Sequence, residues 1–554
     1  MNAIELELMR LRLEAAAEEM GVVLQRTALS ANIKERRDFS CALFDASGRL
    51  IAQAAHVPVH LGSMPESVTA VLEALGTLAE GQTAIVNDPY AGGTHLPDIT
   101  LVSPVHCEGR LIGYTANRAH HADVGGSTPG SMTLSRHIDE EGVRIAPSLL
   151  DVPTLERLLS AVRTPEERQG DLQAQELANA AGAAALRRIA QAEGVASLER
   201  GFAALLDYAG RMTSDVLSRI PDGTYAAEDC MDDDGTAAEP GDAYARPGAG
   251  PTFIRLKLTS SEQRLVADFS ESDPQAAGCI NCPAAVTRSA VYYVVGCLLR
   301  AFGHEGVPFN DGCFGPVEVI TKPGTVVHAV HPAAVVAGNT ETSQRVVDVV
   351  LAALRRALPD LIPAESYGTM SSVALGGRHE GTETHRHGGG GDTDVDARSP
   401  TPGPSSLRRS VASSLSWTYY ETIAGGSGAG PSWDGESGVQ CHMTNTLNTP
   451  AEALEMQYPL RVRRFELREA RACPPQGSGG PGVHRGGDGI VRELEALADC
   501  EGTLLTDRRV HPPGNGAVGR NTVNGQDVGG KAHIMLRKGD VLRIETPGGS
   551  GWTG

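Results

Sequence analysis

The chain reads as an α+β protein of several domains, with mixed helix and strand in its N-terminal and central regions and a β-rich, glycine-rich C-terminal region. Three observations lead there. Its 554 residues exceed the size at which one hydrophobic core stops growing. Short strand-like apolar runs alternate with longer stretches whose apolar residues recur every three or four positions. Beyond residue 416, clusters of glycine separate short β-branched and aromatic runs.

Residues 1–150 form the first mixed region. They open with "MNAIELELMRLRLEAAAEEMG", where Ile4, Leu8, Leu11, Ala15 and Met20 keep a helical spacing. The runs "CALFD", "RLIAQ", "TAIVN", "DITLVSPV" and "LIGYTANRA" follow as strands. Residues 151–220 are helical, carried by "TLERLLSAV", "QELANAAGAAALRRIAQ" and "LERGFAALLDYAGRMTSDVLSRI", until "IPDGTY" breaks the pattern. The region 221–377 returns to strands ("FIRLKLT", "RLVADFS") and then to helices at 284–302 and 342–357. Residues 378–416 carry almost no aliphatic side chains before Trp417, too few to offset the entropy of ordering, and read as a flexible insertion. Residues 417–554 form the β-rich C-terminal region.

Composition excludes several functions. A net charge of −20 without a basic run repels phosphate backbones, and 4% aromatic residues offer no stacking platform, so nucleic acid is not a partner. The longest apolar run, "SAVYYVVGCLLRAF" (289–302), falls short of the ~20 residues that span a bilayer. No basic start precedes an apolar block, so no signal peptide is read, and the ten cysteines are expected as reduced thiols of a cytoplasmic protein. Cys279 and Cys282 have C-x-x-C spacing but lack a second pair, and read as packed thiols.

Chemistry concentrates in two places. "NDPYAGGTHLPDITLVSPV" (87–105) and "NRAHHADVGG" (117–126) each mix histidine, aspartate and glycine beside a strand. If the two strands pair about positions 108 and 109, residue 98 lies opposite residue 119 or its neighbours, and both clusters meet at the open end of the hairpin. Imidazole with carboxylate suits a divalent ion of the zinc, manganese or iron type. The candidate ligands are His95, Asp98, His120, His121 and Asp123. Adjacent residues of a strand point to opposite faces, so only one of His120 and His121 is expected to bind. Asp88 sits on a loop able to close the same site. Glu35 and Asp38 belong to a dense charged group, "ERRD", and are further candidate catalytic carboxylates.

Other motifs carry less. No phosphate-binding G-x-x-x-x-G-K-[ST] and no G-x-S-x-G nucleophile elbow is present. "GNGAVG" (514–519) lacks a following helix and reads as a loop. "GGSGAG" (425–430) and "RGGDG" (485–489) read as turns, with backbone amides available to cradle an anion. Cys41 reads as core.

Taken together, "NIKERRDFSCALFDASGRLIAQAAHVPVHLGSM" (32–64), the two clusters, "EEGVRIAP" (140–147), "RTPEERQGDLQAQ" (163–175), "VPFNDGCFGPVEVITKPGTVV" (307–327) and "AGNTETSQRVVDVV" (337–350) resemble the hydantoinase B/oxoprolinase family. The likeness resumes at "YYETIAGGSGAG" (419–430) and "MTNTLNTPAEALE" (443–455) and runs to the final "TPGGSGW" (546–552), departing at 378–416 and 469–483. The resemblance implies a B-type subunit that works with a hydantoinase A-type ATP-binding partner, in a hetero-oligomer. The partner would phosphorylate the oxygen of a cyclic amide, and the B-type subunit would hold the metal whose bound water attacks the activated carbon. A metal-dependent subunit of an ATP-dependent ketone carboxylase, and a non-catalytic scaffold for the ATPase, are the alternatives.

Overall fold

Six strands of the first 150 residues form one antiparallel sheet. They are β1 (Phe39–Asp45), β2 (Leu50–Gln53), β3 (Ala84–Val86), β4 (Asp98–Cys107), β5 (Arg110–His120) and β6 (Ser148–Leu149), in spatial order β2-β1-β5-β4-β3-β6. The computed structural model describes residues 1–54, 57–236, 250–378, 416–468 and 477–554. The stretch 379–415, nearly all of the insertion expected from sequence, lies outside the described residues.

β1 is apolar along most of its length because both faces of the sheet are covered. Cys41 and Leu43 pack with Met9, Leu13 and Met20 of the first helix, Ala3–Thr27. The alternate residues, Ala42 and Phe44, pack with Met64, Val68 and Val71 of the helix His60–Leu75. The first helix forms as its spacing predicts, but on a different face. Met9, Leu13, Ala16, Ala17, Met20 and Leu24 are buried, while Ile4, Leu8 and Leu11 stay exposed. Gly182 on the helix Pro165–Glu193 leaves no room for a Cβ beside Met20, so the two helices approach closely there.

The helices Val152–Ala161, Pro165–Glu193 and Val195–Leu217 follow. Pro165–Glu193 is joined to β4 and β5 by side-chain amides. Asn117 Nδ2 donates to Gln175 O and Asn179 Oδ1, both at 2.8 Å, and Gln175 Nε2 donates to Ile99 O at 2.9 Å.

A second sheet orders Val317–Ile320, Arg264–Asp268, Thr252–Ser261 and Gly223–Met231, and packs with the helices Ala284–Ala301 and Ser343–Ala357. The C-terminal region holds two more sheets over a common core, one built on Ser372–Arg378 and Ser416–Thr422, the other on Ile490–Ala496 and Val541–Glu545. Helix and strand are thus mixed throughout, and the fold is α+β.

The glycine-rich runs are structural. Segments 425–430, 477–489 and 546–552 lie backbone against backbone: a Cβ on Gly426 would strike Gly487 O, and one on Gly549 would strike Ser427 O. Their amides are spent on one another, as in Gly487 N to Ser427 O and Gly549 N to Gly487 O, both 2.9 Å. No anion cradle is left in "GGSGAG" or "RGGDG", a correction to the sequence reading. "GNGAVG" is a loop. Cys279, Cys282 and Cys41 are buried in the packed cores. Among the described residues no helix is long and apolar enough to cross a membrane.

Candidate metal centre

The hairpin β4–β5 builds the site. Its turn is the two-residue type that left-handed backbone favours, with Glu108 at φ +51° and Gly109 at φ +74°. Cys107 pairs with Arg110, and an irregularity between Val105 and His106 advances the register by one residue. Asp98 therefore stands opposite His120. The loop carrying His95 is pinned from within. Asn87 Nδ2 donates to Leu96 O at 2.8 Å and to Val143 O at 2.9 Å, and Asn87 Oδ1 accepts from Ile145 N at 2.6 Å.

His95, Asp98 and His120 converge, all buried. His95 Nε2 lies 3.2 Å from His120 Nδ1 and 3.3 Å from Asp98 Oδ1, and His120 Nδ1 lies 3.1 Å from Asp98 Oδ1. Three donor atoms bound to one ion at about 2.0–2.2 Å stand roughly 3.0–3.5 Å apart on a shared face. The spacing of the triangle falls in the range expected of donors to one transition-metal ion. Burial lowers the basicity of His120, keeping a lone pair free at neutral pH. For Asp98 burial opposes the charge, yet His95, His120 and His60 together hold the carboxyl well below the usual range.

A second layer orients the first. Asp98 Oδ2 accepts from Thr94 Oγ1 at 2.5 Å and faces His60 Nε2 at 3.4 Å. His60 Nδ1 is held in turn by Ser40 Oγ at 2.8 Å. The Tyr420 ring stacks on His120, with centroids 4.6 Å apart and planes at 15°, and the Arg36 guanidinium covers Tyr420 at 4.8 Å. Arg118 lies fully buried, donating to Thr100 Oγ1, Ser63 Oγ and Ser67 Oγ; burial brings its pKa down to about 10, so it stays charged at neutral pH.

Other candidates from the sequence stand elsewhere. His121 turns to the opposite face and meets Gln175 Oε1 at 2.9 Å, where burial and then Arg168 depress its pKa to about 4. Asp123 leaves the cluster for Arg163 Nη1 at 2.7 Å. Both are candidate ligands by sequence, and neither joins the triangle: strand alternation removes the first, and a cation from the helical region claims the second. Asp88 caps the short turn Pro89–Ala91 and pairs with Arg144 Nη1 at 2.9 Å. Glu35 is half-buried at the end of the helix Ala31–Lys34. Asp38 is buried, takes the His120 N–H on its backbone carbonyl at 3.0 Å, and bears electrostatically on His60 and His120.

His60, Thr94 and Tyr420 are site residues that sequence reasoning misses. His60 is the second of two histidines in the otherwise apolar run "HVPVHLGSM" (56–64), with no carboxylate beside it, and Tyr420 comes from the far end of the chain; neither carries a local signal.

Three known proteins place the chain. It is 36% identical to 5-oxoprolinase 1 of Arabidopsis thaliana, over 100% of this chain and 42% of that protein. The chain thus spans about two fifths of such relatives. It is 28% identical to a protein named as the B-type subunit of a D-/L-hydantoinase in Pseudomonas sp. strain NS671, over 90% of this chain and 79% of that one. The ATP-dependent caprolactamase of Pseudomonas jessenii superposes with a TM-score of 0.82 at 26% identity, covering 100% of this chain and 91% of that one. The family model for hydantoinase B/oxoprolinase matches residues 2–554, and the chain belongs to that family.

Proposed function

We propose that the chain is the B-type component of an ATP-dependent cyclic amidohydrolase of the hydantoinase and 5-oxoprolinase kind, working with an A-type subunit that binds ATP. The observation that carries this reading is the buried triangle of His95, Asp98 and His120 in a chain of this family. An unstrained cyclic amide is a poor electrophile. Phosphorylation of its oxygen by the partner removes the amide resonance and supplies a leaving group, so this chain must deliver water and hold the ring.

His95 Nε2, Asp98 Oδ1 and His120 Nδ1 would hold a zinc, manganese or iron ion. Such an ion lowers the pKa of bound water toward neutrality and so supplies a nucleophile at working pH. His60 and Thr94 keep Asp98 aimed, and Tyr420 keeps the His120 ring in plane. Asp38, buried with its backbone carbonyl on the His120 N–H, is the candidate carboxylate for proton transfer at this site. Asp88 holds its loop in place through Arg144.

Reconstitution tests the reading. The isolated chain should open no lactam or hydantoin, and adding the cognate A-type subunit with ATP should start ring opening and ATP hydrolysis together. Asp98→Ala in the complex should abolish ring opening while leaving uncoupled ATP hydrolysis. Robust ring opening by this chain alone, without ATP, would overturn the partner model.

A further inference from the structure

One amide joins the loop of His95 to the segment of Glu141. Asn87 Nδ2 donates to both Leu96 O and Val143 O, at 2.8 and 2.9 Å, so the two backbones run side by side. Leu96, Ile138 and Val335 share one core cluster across that contact. The backbone about Glu141 is clamped. Ser127 N donates to Glu140 O and Val143 N to Val124 O, both at 2.8 Å. Gly126 passes so close that a Cβ there would stand 2.8 Å from Glu141 O.

The Glu141 side chain is wholly buried, and its two oxygens are treated differently. Oε1 accepts from Ser135 Oγ at 2.7 Å, Val335 N at 2.7 Å and Val336 N at 3.0 Å. Oε2 is buried without a partner, a costly state for a carboxylate oxygen. Burial pushes the carboxyl up to about 7, against the three donors and His95, whose charge bears on it. His95 presents the matching gap. Its Nε2 faces Asp98 and His120, while its Nδ1 is buried without a partner. A ring nitrogen that faces an ion offers a lone pair, which leaves the ring proton on Nδ1. A buried donor and a buried acceptor thus stand unused in adjoining segments. Metal-ligating histidines almost always give their second N–H to a carboxylate, a carbonyl or a water.

We infer that Glu141 is the positioning carboxylate of His95: its Oε2 accepts the His95 Nδ1–H through one buried water and so turns the ring to present Nε2 to the ion. The two atoms supply the minimum of about two polar partners that a buried water needs. Glu141 stands outside the ligand triangle, and Oε1 is committed to Ser135 and the 335–336 backbone, so it orients a ligand without being one. His60 and Thr94 act on Asp98 instead. The inference rests on the metal reading proposed above and adds to it the residue that aims its first histidine.

Glu141→Gln tests it in the full chain. The amide oxygen can keep the three bonds of Oε1, but its NH₂ leaves the bridging water with two protons and no acceptor. Zinc affinity, measured by competition with a chelator, should fall about tenfold to a hundredfold, while the metal-free melting temperature stays at the wild-type value. With histidine nitrogens labelled, the zinc-loaded wild type should show a solvent-protected imidazole N–H that Glu141→Gln lacks. Glu140→Gln, the exposed neighbour, should match the wild type in all three measurements. Unchanged zinc affinity in Glu141→Gln overturns the assignment. So does a weakened affinity with every protected histidine N–H retained, which means charge acting at a distance. A lowered melting temperature of the metal-free variant makes Glu141 a packing residue and overturns it as well. In each of these cases the wild type still binds zinc and the metal reading stands; a wild type that binds no zinc takes both down.

Discussion

Replacing Asp507 by asparagine removes the anion at the centre of a buried ionic knot. Its Oδ2 lies 2.5 Å from Lys531 Nζ and its Oδ1 lies 2.7 Å from Arg345 Nη2, and all three side chains are almost wholly buried. Arg345 belongs to the helix Ser343–Ala357, whereas Asp507 and Lys531 belong to the C-terminal region, so the knot ties the two together. Burial penalises the Asp507 charge, but Lys531 and Arg345 prevail and hold the carboxyl at about 2. The unfolded value is near 3.9, so the folded pKa is depressed. The linked stability is present above pH ~4 and is lost as pH falls toward 2, about 2 to 3 kcal/mol in all. Asp507→Asn at pH 7 should cost more, about 3–5 kcal/mol, because two cations are left buried with only the flanking Asp233, Asp229 and Asp348. The chain's three tryptophans, Trp417, Trp433 and Trp552, all lie in the C-terminal region and report its unfolding in urea by fluorescence. The variant should unfold at lower urea at pH 7, and its acid sensitivity between pH 5 and pH 2 should be smaller than that of the wild type. An unchanged urea midpoint, or an unchanged acid response, would refute the electrostatic reasoning.

Two further predictions concern the metal centre and the glycine packing. His60→Ala should weaken binding of a divalent ion by about tenfold to a hundredfold, the usual loss for a group that orients a ligand, whereas His121→Gln should leave affinity unchanged; competition with a chelating dye measures both, and equal losses would contradict the site geometry. Gly487→Ala places a Cβ against Glu436 O and should destabilise by about 1–3 kcal/mol or more, while Gly250→Ala, with open space around it, should stay within about 0.5 kcal/mol. Thermal melting of the pair decides, and equal melting temperatures would show that the backbone gives way.

How much of the site was legible depends on how local its cause is. The hairpin could be read because its two strands flank a two-residue turn, which set Asp98 opposite residue 119 or its neighbours; the Val105–His106 irregularity decides that the partner is His120. Strand alternation foresaw that His120 and His121 part company, though not which of them faces Asp98. Residue type alone did not distinguish Asp98 from Asp123; Arg163, forty positions onward, claims the latter. His60 and Tyr420 enter the site through packing of a helix and of a distant strand, and no spacing near either records that. The first helix makes the same point. Its apolar residues recur at helical spacing on two faces, and the one that carries Met9, Leu13, Met20 and Leu24 is buried while Ile4, Leu8 and Leu11 stay exposed. Periodicity specifies an element; packing chooses its face. That His95, Asp98 and His120 would meet at the end of one hairpin was therefore readable in advance, while the layer that orients them, drawn from residues 40, 60 and 420, became visible only once the sheet, the helix His60–Leu75 and the C-terminal strand had met.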